Sequence, residues 1–82
     1  MRRIRTELPV EFSYNLPVVE LTGNRRAYIE GSTGVLKYEK DVVRINTSSL
    51  VISLCGRGLR LKCISPTGVV VEGFISNVEF IE

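Results

Sequence analysis

From Val18 to Ile81 the chain is a succession of short β-branched runs broken by clusters of turn residues, most of them built on glycine. Val18-Val19-Glu20-Leu21 runs into Thr22-Gly23-Asn24, and Ala27-Tyr28-Ile29-Glu30 into Gly31-Ser32-Thr33-Gly34. Leu50 to Cys55 meets Gly56-Arg57-Gly58, Leu59 to Ile64 meets Ser65-Pro66-Thr67-Gly68, and Val69 to Glu72 ends at Gly73. An alternating run followed by a turn cluster, repeated about every eight to ten residues, is the signature of an all-β domain. The connections are too short for parallel crossovers, so neighbouring strands are expected to pair as antiparallel hairpins. The expected fold is a meander of about eight short strands, closed into a small β-sandwich or roll. Those strands are Val18–Leu21, Arg26–Glu30, Val35–Tyr38, Val42–Asn46, Leu50–Cys55, Leu59–Ile64, Val69–Glu72 and Phe74–Ile81.

Alternation assigns faces. Val43 and Ile45 point away from Arg44; Leu50, Ile52 and Leu54 share a face; Leu59, Leu61 and Cys63 oppose Arg60 and Lys62. Tyr38 and Phe80 fall on core faces. The last run breaks phase: Val71, Gly73 and Ile75 share one face, and Val78 and Phe80 sit one residue out of step. An extra residue at Ser76-Asn77 restores both sets to the core, which predicts a β-bulge there. Gly73, lying between Glu72 and Phe74, reads as a bend or a site of close backbone approach. Gly56-Arg57-Gly58 reads as a tight hairpin turn. That register would hold Cys55 and Cys63 roughly 13 Å apart along the strands. A disulfide needs Cα atoms within about 7 Å, so two free thiols are expected.

Eighty-two residues make one domain. A chain this short buries only about 60–65% of its unfolded surface and is marginally stable. Residues 18–82 are expected to form the domain, and residues 1–17 an N-terminal arm or short helix. Between Pro9 and Pro17 the alternation of Val10, Phe12, Tyr14 and Leu16 fits an extended arm, while Pro9 fits the first turn of a helix. No run approaches the ~18 apolar residues of a membrane span. The basic start, Arg2, Arg3 and Arg5, is followed by no apolar stretch of the kind a secretory leader carries. A cytoplasmic protein is expected.

Reactive side chains are few. The chain has no histidine, which removes Ser-His-Asp and Cys-His catalysis and the commonest zinc ligand. Gly56-Arg57-Gly58 lacks the strand-to-helix context of a phosphate loop. Glu72 and Glu79 could approach across a sheet, but solvated strand-face glutamates are far commoner than catalytic pairs. No enzyme activity, cofactor or metal is expected.

What the chain does carry is apolar residues on both faces of several strands. Val51, Val70 and Phe74 fall opposite the core faces, and Arg25, Arg26 and Tyr28 gather at a turn. Exposed apolar faces and open strand edges are contact surfaces. The candidate interaction surface is therefore Arg25, Arg26, Tyr28, Val51, Val70 and Phe74, serving a protein partner or a second copy of the chain. An alternative from another class is a small β-barrel binding single-stranded nucleic acid through Arg25, Arg26, Tyr28 and the arginine-rich N-terminus. The net charge of +2 gives that reading little support.

Order and spacing carry a resemblance that covers Leu8 to Phe80. The pieces are Leu8-Pro9, Asn15-Leu16-Pro17, Leu21-Thr22-Gly23-Asn24, Tyr28-Ile29-Glu30-Gly31 and Gly34-Val35-Leu36, then Val43-Arg44-Ile45-Asn46-Thr47, Ile52 to Leu61, Val71 to Ile75 and Val78-Glu79-Phe80. In this order they resemble the YabP/YqfC family of sporulation proteins, and the Gly23-Asn24 and Tyr28-Ile29-Glu30 pieces look closer to the YqfC branch. Gly31 departs from the polar residue usual after the Ile-Glu pair. The resemblance implies a non-enzymatic protein of an endospore-forming bacterium, acting in the mother cell during spore coat or cortex formation. It also implies a short N-terminal helical or irregular segment before a β-sandwich-like domain. A co-encoded, YqfD-like membrane protein is the partner it points to. It supplies no catalytic or ligand-binding residues.

Overall fold

The computed structural model describes residues 16–82. The N-terminal arm or helix expected over residues 1–17 therefore lies outside the described residues, apart from Leu16 and Pro17, which precede the first strand. Six strands follow: β1 (Val18–Thr22), β2 (Arg26–Glu30), β3 (Ser32–Tyr38), β4 (Val42–Thr47), β5 (Val51–Ile64) and β6 (Gly68–Ile81). They form one antiparallel sheet in the order β1-β2-β6-β5-β4-β3. The all-β class is as the sequence indicates. The meander is not complete, because β2 passes to β3 through Gly31 without pairing to it and instead pairs with β6.

β5 and β6 are each 14 residues long, and each belongs to two neighbourhoods. The first half of β5 pairs with β4 (Ile45↔Ile52, Val43↔Leu54), and its second half pairs with β6 alone. The first half of β6 pairs with β2 (Ala27↔Val71, Ile29↔Val69), and its second half borders only β5. The sheet folds over on itself midway along these two strands. One layer is β3, β4 and the adjoining halves of β5 and β6; the other is β1, β2 and the remaining halves. Strands that bend at a corner and continue into the facing layer are a recognised way to build such packings. The eight expected segments are thus present, but the last four are the halves of two bent strands.

The expected hairpin at Gly56-Arg57-Gly58 is overturned. The segment is the bend of β5, lying beside the bend of β6 at Gly73-Phe74-Ile75 (Gly56↔Ile75, Arg57↔Phe74). The backbones meet so closely there that a Cβ on Gly56 would fall inside the Phe74 carbonyl group. A Cβ on Gly73 would stand 2.6 Å from the Gly58 carbonyl oxygen, and the φ of Gly73, 144°, is one that other residues rarely adopt. Gly73 is the site of close approach that its sequence position indicated. Cys55 pairs with Asn77 and Cys63 with Val70, rather than with the partners a hairpin would give. Both are free thiols. The expected bulge is present: Cys55 faces Asn77 and Gly56 faces Ile75, which leaves Ser76 as the extra residue. Its hydroxyl donates to the Cys55 carbonyl at 3.2 Å.

Between the layers lie Ala27, Ile29, Val43, Ile45, Ile52, Leu54, Leu59, Val69, Val71 and Ile75, all buried. Val19, Val35, Leu50, Leu61 and Val78 pack around them. Each fully buried aliphatic side chain contributes roughly 1.5–3 kcal/mol. Tyr38 and Phe80 share the inward face by register, opposite Val43 and Ile52, yet they are 51% and 56% exposed. They stand at the margins of their layer rather than in the core. Tyr38 closes one margin: its hydroxyl accepts a hydrogen bond from the Leu61 N–H of the facing layer at 3.2 Å.

The β4–β5 turn rests on Thr47, which is buried. Its hydroxyl donates to the Leu50 carbonyl and accepts from the Leu50 N–H at 3.0 Å. Thr47→Val keeps the shape and removes both bonds. We expect a loss of about 1–3 kcal/mol in urea unfolding, the cost of leaving the Leu50 N–H unpaired; the Leu50 carbonyl keeps its bond from the Thr47 N–H at 3.0 Å.

Candidate functional site

The outer side of the bend gathers the chain's most distinctive surface. The β1–β2 turn, closed by the Arg25 N–H donating to the Thr22 carbonyl at 3.1 Å, folds against the bend of β6. The Asn24 carbonyl accepts from the Ile75 N–H at 2.7 Å, and the Arg25 carbonyl accepts from the Gly73 N–H at 3.0 Å. The β3–β4 turn braces β5 in the same way: the Asp41 carbonyl accepts from the Gly56 N–H at 3.0 Å and the Lys40 carbonyl from the Leu59 N–H at 2.8 Å. Two turns thus bracket the bend through backbone groups alone, which leaves their side chains free to point outward.

Phe74 marks the centre of this corner and is 36% exposed. The Arg57 guanidinium lies over its ring at 4.5 Å from the centroid, and that of Arg25 at 5.5 Å. Such contacts are worth about 0.5–1 kcal/mol at exposed sites and hold the guanidiniums in place. One row along, the register sets Arg26, Glu72 and Arg60 side by side across β2, β6 and β5. Arg26 Nε stands 3.8 Å from Glu72 Oε2, and Arg60 Nη2 stands 3.9 Å from Glu72 Oε1. These are ion pairs longer than hydrogen bonds, so both guanidiniums keep donors for another acceptor. Thr22, Arg25, Arg26, Arg60, Glu72 and Gly73 line one shallow cleft of about 400 Å³.

The structure divides the six residues that the sequence nominated. Arg25, Arg26 and Phe74 come together at the corner. Tyr28 and Val70 are direct cross-strand partners on the outer face just beyond, in a pocket with Arg26, Glu20 and Thr22. The Tyr28 ring lies against Gly68. Val51 sits in the other layer, between Asn46 and Ile81, and takes no part. Sequence reasoning missed Arg57 and Arg60. The flanking glycines make Arg57 look like a turn residue and alternation makes Arg60 an ordinary solvated strand residue; only the pairing of β5 with β6 brings them to Phe74 and Glu72.

Glu72 and Glu79 do not approach each other across a sheet. They lie on the two halves of β6, opposite Arg26 and Arg60 in one layer and Ser53 in the other. Among the described residues, no three His, Cys, Asp or Glu side chains gather as metal ligands would, and no helix is long and apolar enough to cross a membrane.

Fold and site together define a small two-layer all-β domain whose concentrated surface chemistry is a corner of arginines around one aromatic ring. The sequence profile of the YabP family matches residues 15–82, and the chain belongs to that family. Among individual proteins it is similar to the uncharacterized protein YqfC of Bacillus subtilis (strain 168), at 28% identity over 76 residues, covering 93% of this chain and 82% of the relative. No solved structure matches the chain.

Proposed function

We propose that this is a non-enzymatic sporulation protein, a protein-interaction module acting in spore coat or cortex formation in the mother cell of an endospore-forming bacterium. The observation that carries the reading is the corner itself. The chain commits two long strands, two turns and four arginines to presenting a fixed, charged, aromatic-centred surface. Among the described residues, its interacting side chains are arginines, one glutamate and one phenylalanine. Membership of the YabP family and similarity to a Bacillus protein support the sporulation context. A co-encoded membrane protein is the partner we favour, held at the membrane while this chain docks from the mother-cell side.

Deleting the gene in its host is expected to lower the yield of heat-resistant spores, with rescue by the wild-type gene supplied in trans. A tagged copy expressed during sporulation should capture the membrane partner. Fully resistant spores at normal yield, together with no captured partner, would overturn the reading.

A further inference from the structure

We propose that the corner formed by Arg25, Arg26, Arg57, Arg60 and Phe74 docks an acidic, extended segment of a partner protein. The inference rests on the interaction-module reading and gives it a surface and a partner chemistry.

Charge balance at the corner is the first ground. Four exposed arginines stand against two carboxylates: Glu72, between Arg26 and Arg60, and Glu20, which lines the adjoining pocket with Arg26. Arg26 and Arg60 share the Glu72 carboxylate at 3.8 and 3.9 Å, a surface arrangement of little net strength. Incoming carboxylates can engage the planar guanidinium forks with short, paired hydrogen bonds, which are stronger. Spacing is the second ground. The Glu72 row and the Phe74 row are two residues apart along β6. In an extended peptide, alternate side chains on one face recur about every 6.6–6.8 Å. Acidic residues at alternate positions can therefore meet both rows. Rigidity is the third: backbone bonds from Gly56, Leu59, Gly73 and Ile75 fix the bend against both turns, so docking has little backbone ordering cost.

Nucleic acid fits less well. Guanidiniums already lie over the Phe74 ring, and Tyr28 is laid against Gly68, so neither ring stands ready to stack a base. The chain's net charge is only +2, little for a strand whose every nucleotide carries a negative charge.

The test is a fluorescence anisotropy titration of the full chain with a labelled peptide of alternating Asp and Gly. The matched Asn-Gly peptide and a thymidine oligonucleotide of equal charge serve as comparisons. We expect the acidic peptide to bind at low salt, to weaken as salt rises, and to bind about tenfold less well to Arg57→Gln or Arg60→Gln. The Asn-Gly peptide should not bind. Arg44→Gln removes the same charge from the other layer and should leave binding unchanged. All three arginines are exposed, so the variants should keep the wild-type circular dichroism and melting temperature. No binding at low salt, or equal loss in Arg44→Gln, would overturn the proposal. So would tighter binding of the oligonucleotide through the same arginines. A silent titration beside a deletion strain that still sporulates poorly removes this inference alone; a deletion strain that sporulates fully removes the broader reading.

Discussion

Gly56→Ala is expected to abolish stable folding. The added methyl would occupy the space of the Phe74 carbonyl and would stand 3.0 Å from the Ile75 Cα. These are backbone atoms on the neighbouring bend, so no rotamer change can relieve the clash; β5 and β6 would have to part where the sheet turns over. Parting them also weakens the bonds that tie the bend to the two turns. A chain of this length has a total stability on the order of 4–12 kcal/mol. A domain this small sits toward the low end of that range, so a loss of about 4 kcal/mol or more, the range in which backbone strain and lost packing combine, leaves little folded population. Far-UV circular dichroism and urea titration give the readout. Gly34→Ala is the control, because a Cβ there meets nothing within 4 Å; its effect should stay within about 1 kcal/mol. A cooperative, near-wild-type transition for Gly56→Ala would show that the bend can open without loss of the fold.

Ile52→Ala carries the second largest effect. Ile52 is fully buried, on a strand with neighbours on both sides, opposite Ile45 and Phe80. Truncation removes about three carbons of burial and leaves a void that flanking strands, held by their ladders, can close only in part. The expected cost is about 2–5 kcal/mol, against about 0.5–1.5 kcal/mol for Ile52→Val. Leu36→Ala, at a position 60% exposed, should change the urea midpoint little. Equal midpoints for Ile52→Ala and Leu36→Ala would contradict the placement of the core between the layers.

Much of this architecture was legible because a sheet writes its faces into alternate residues. The buried sets Ile52 with Leu54, and Val43 with Ile45, follow directly from period two, and the phase slip before Val78 located the bulge at Ser76. Alternation gives face but not depth. Tyr38 and Phe80 point inward as expected and are exposed because they stand where their layer ends. The largest misreading, a hairpin at Gly56-Arg57-Gly58, has a physical cause. Two glycines around one residue permit a reversal of direction and a bend equally well, and what decides is a strand some 17 residues further on, with Phe74 beside Arg57. The same non-local pairing explains the candidate site. Arg25, Arg26 and Phe74 were visible as an exposed aromatic and a basic turn. Arg57 and Arg60 acquire their neighbours only once β5 and β6 lie together, and Val51 loses its place because it belongs to the other layer.

Because β5 and β6 run through both layers, neither layer can loosen alone; two of its four strands are its neighbour's as well. Whatever seats on the corner grips the single place where all four half-strands meet. A partner bound there and not to the unfolded chain raises the stability of the whole domain by mass action, by about 2.7 kcal/mol at a hundredfold excess over its dissociation constant. For a domain this small that is a substantial share of the total, so a partner seated on the corner would also slow cleavage of the chain by any protease that acts on its unfolded form.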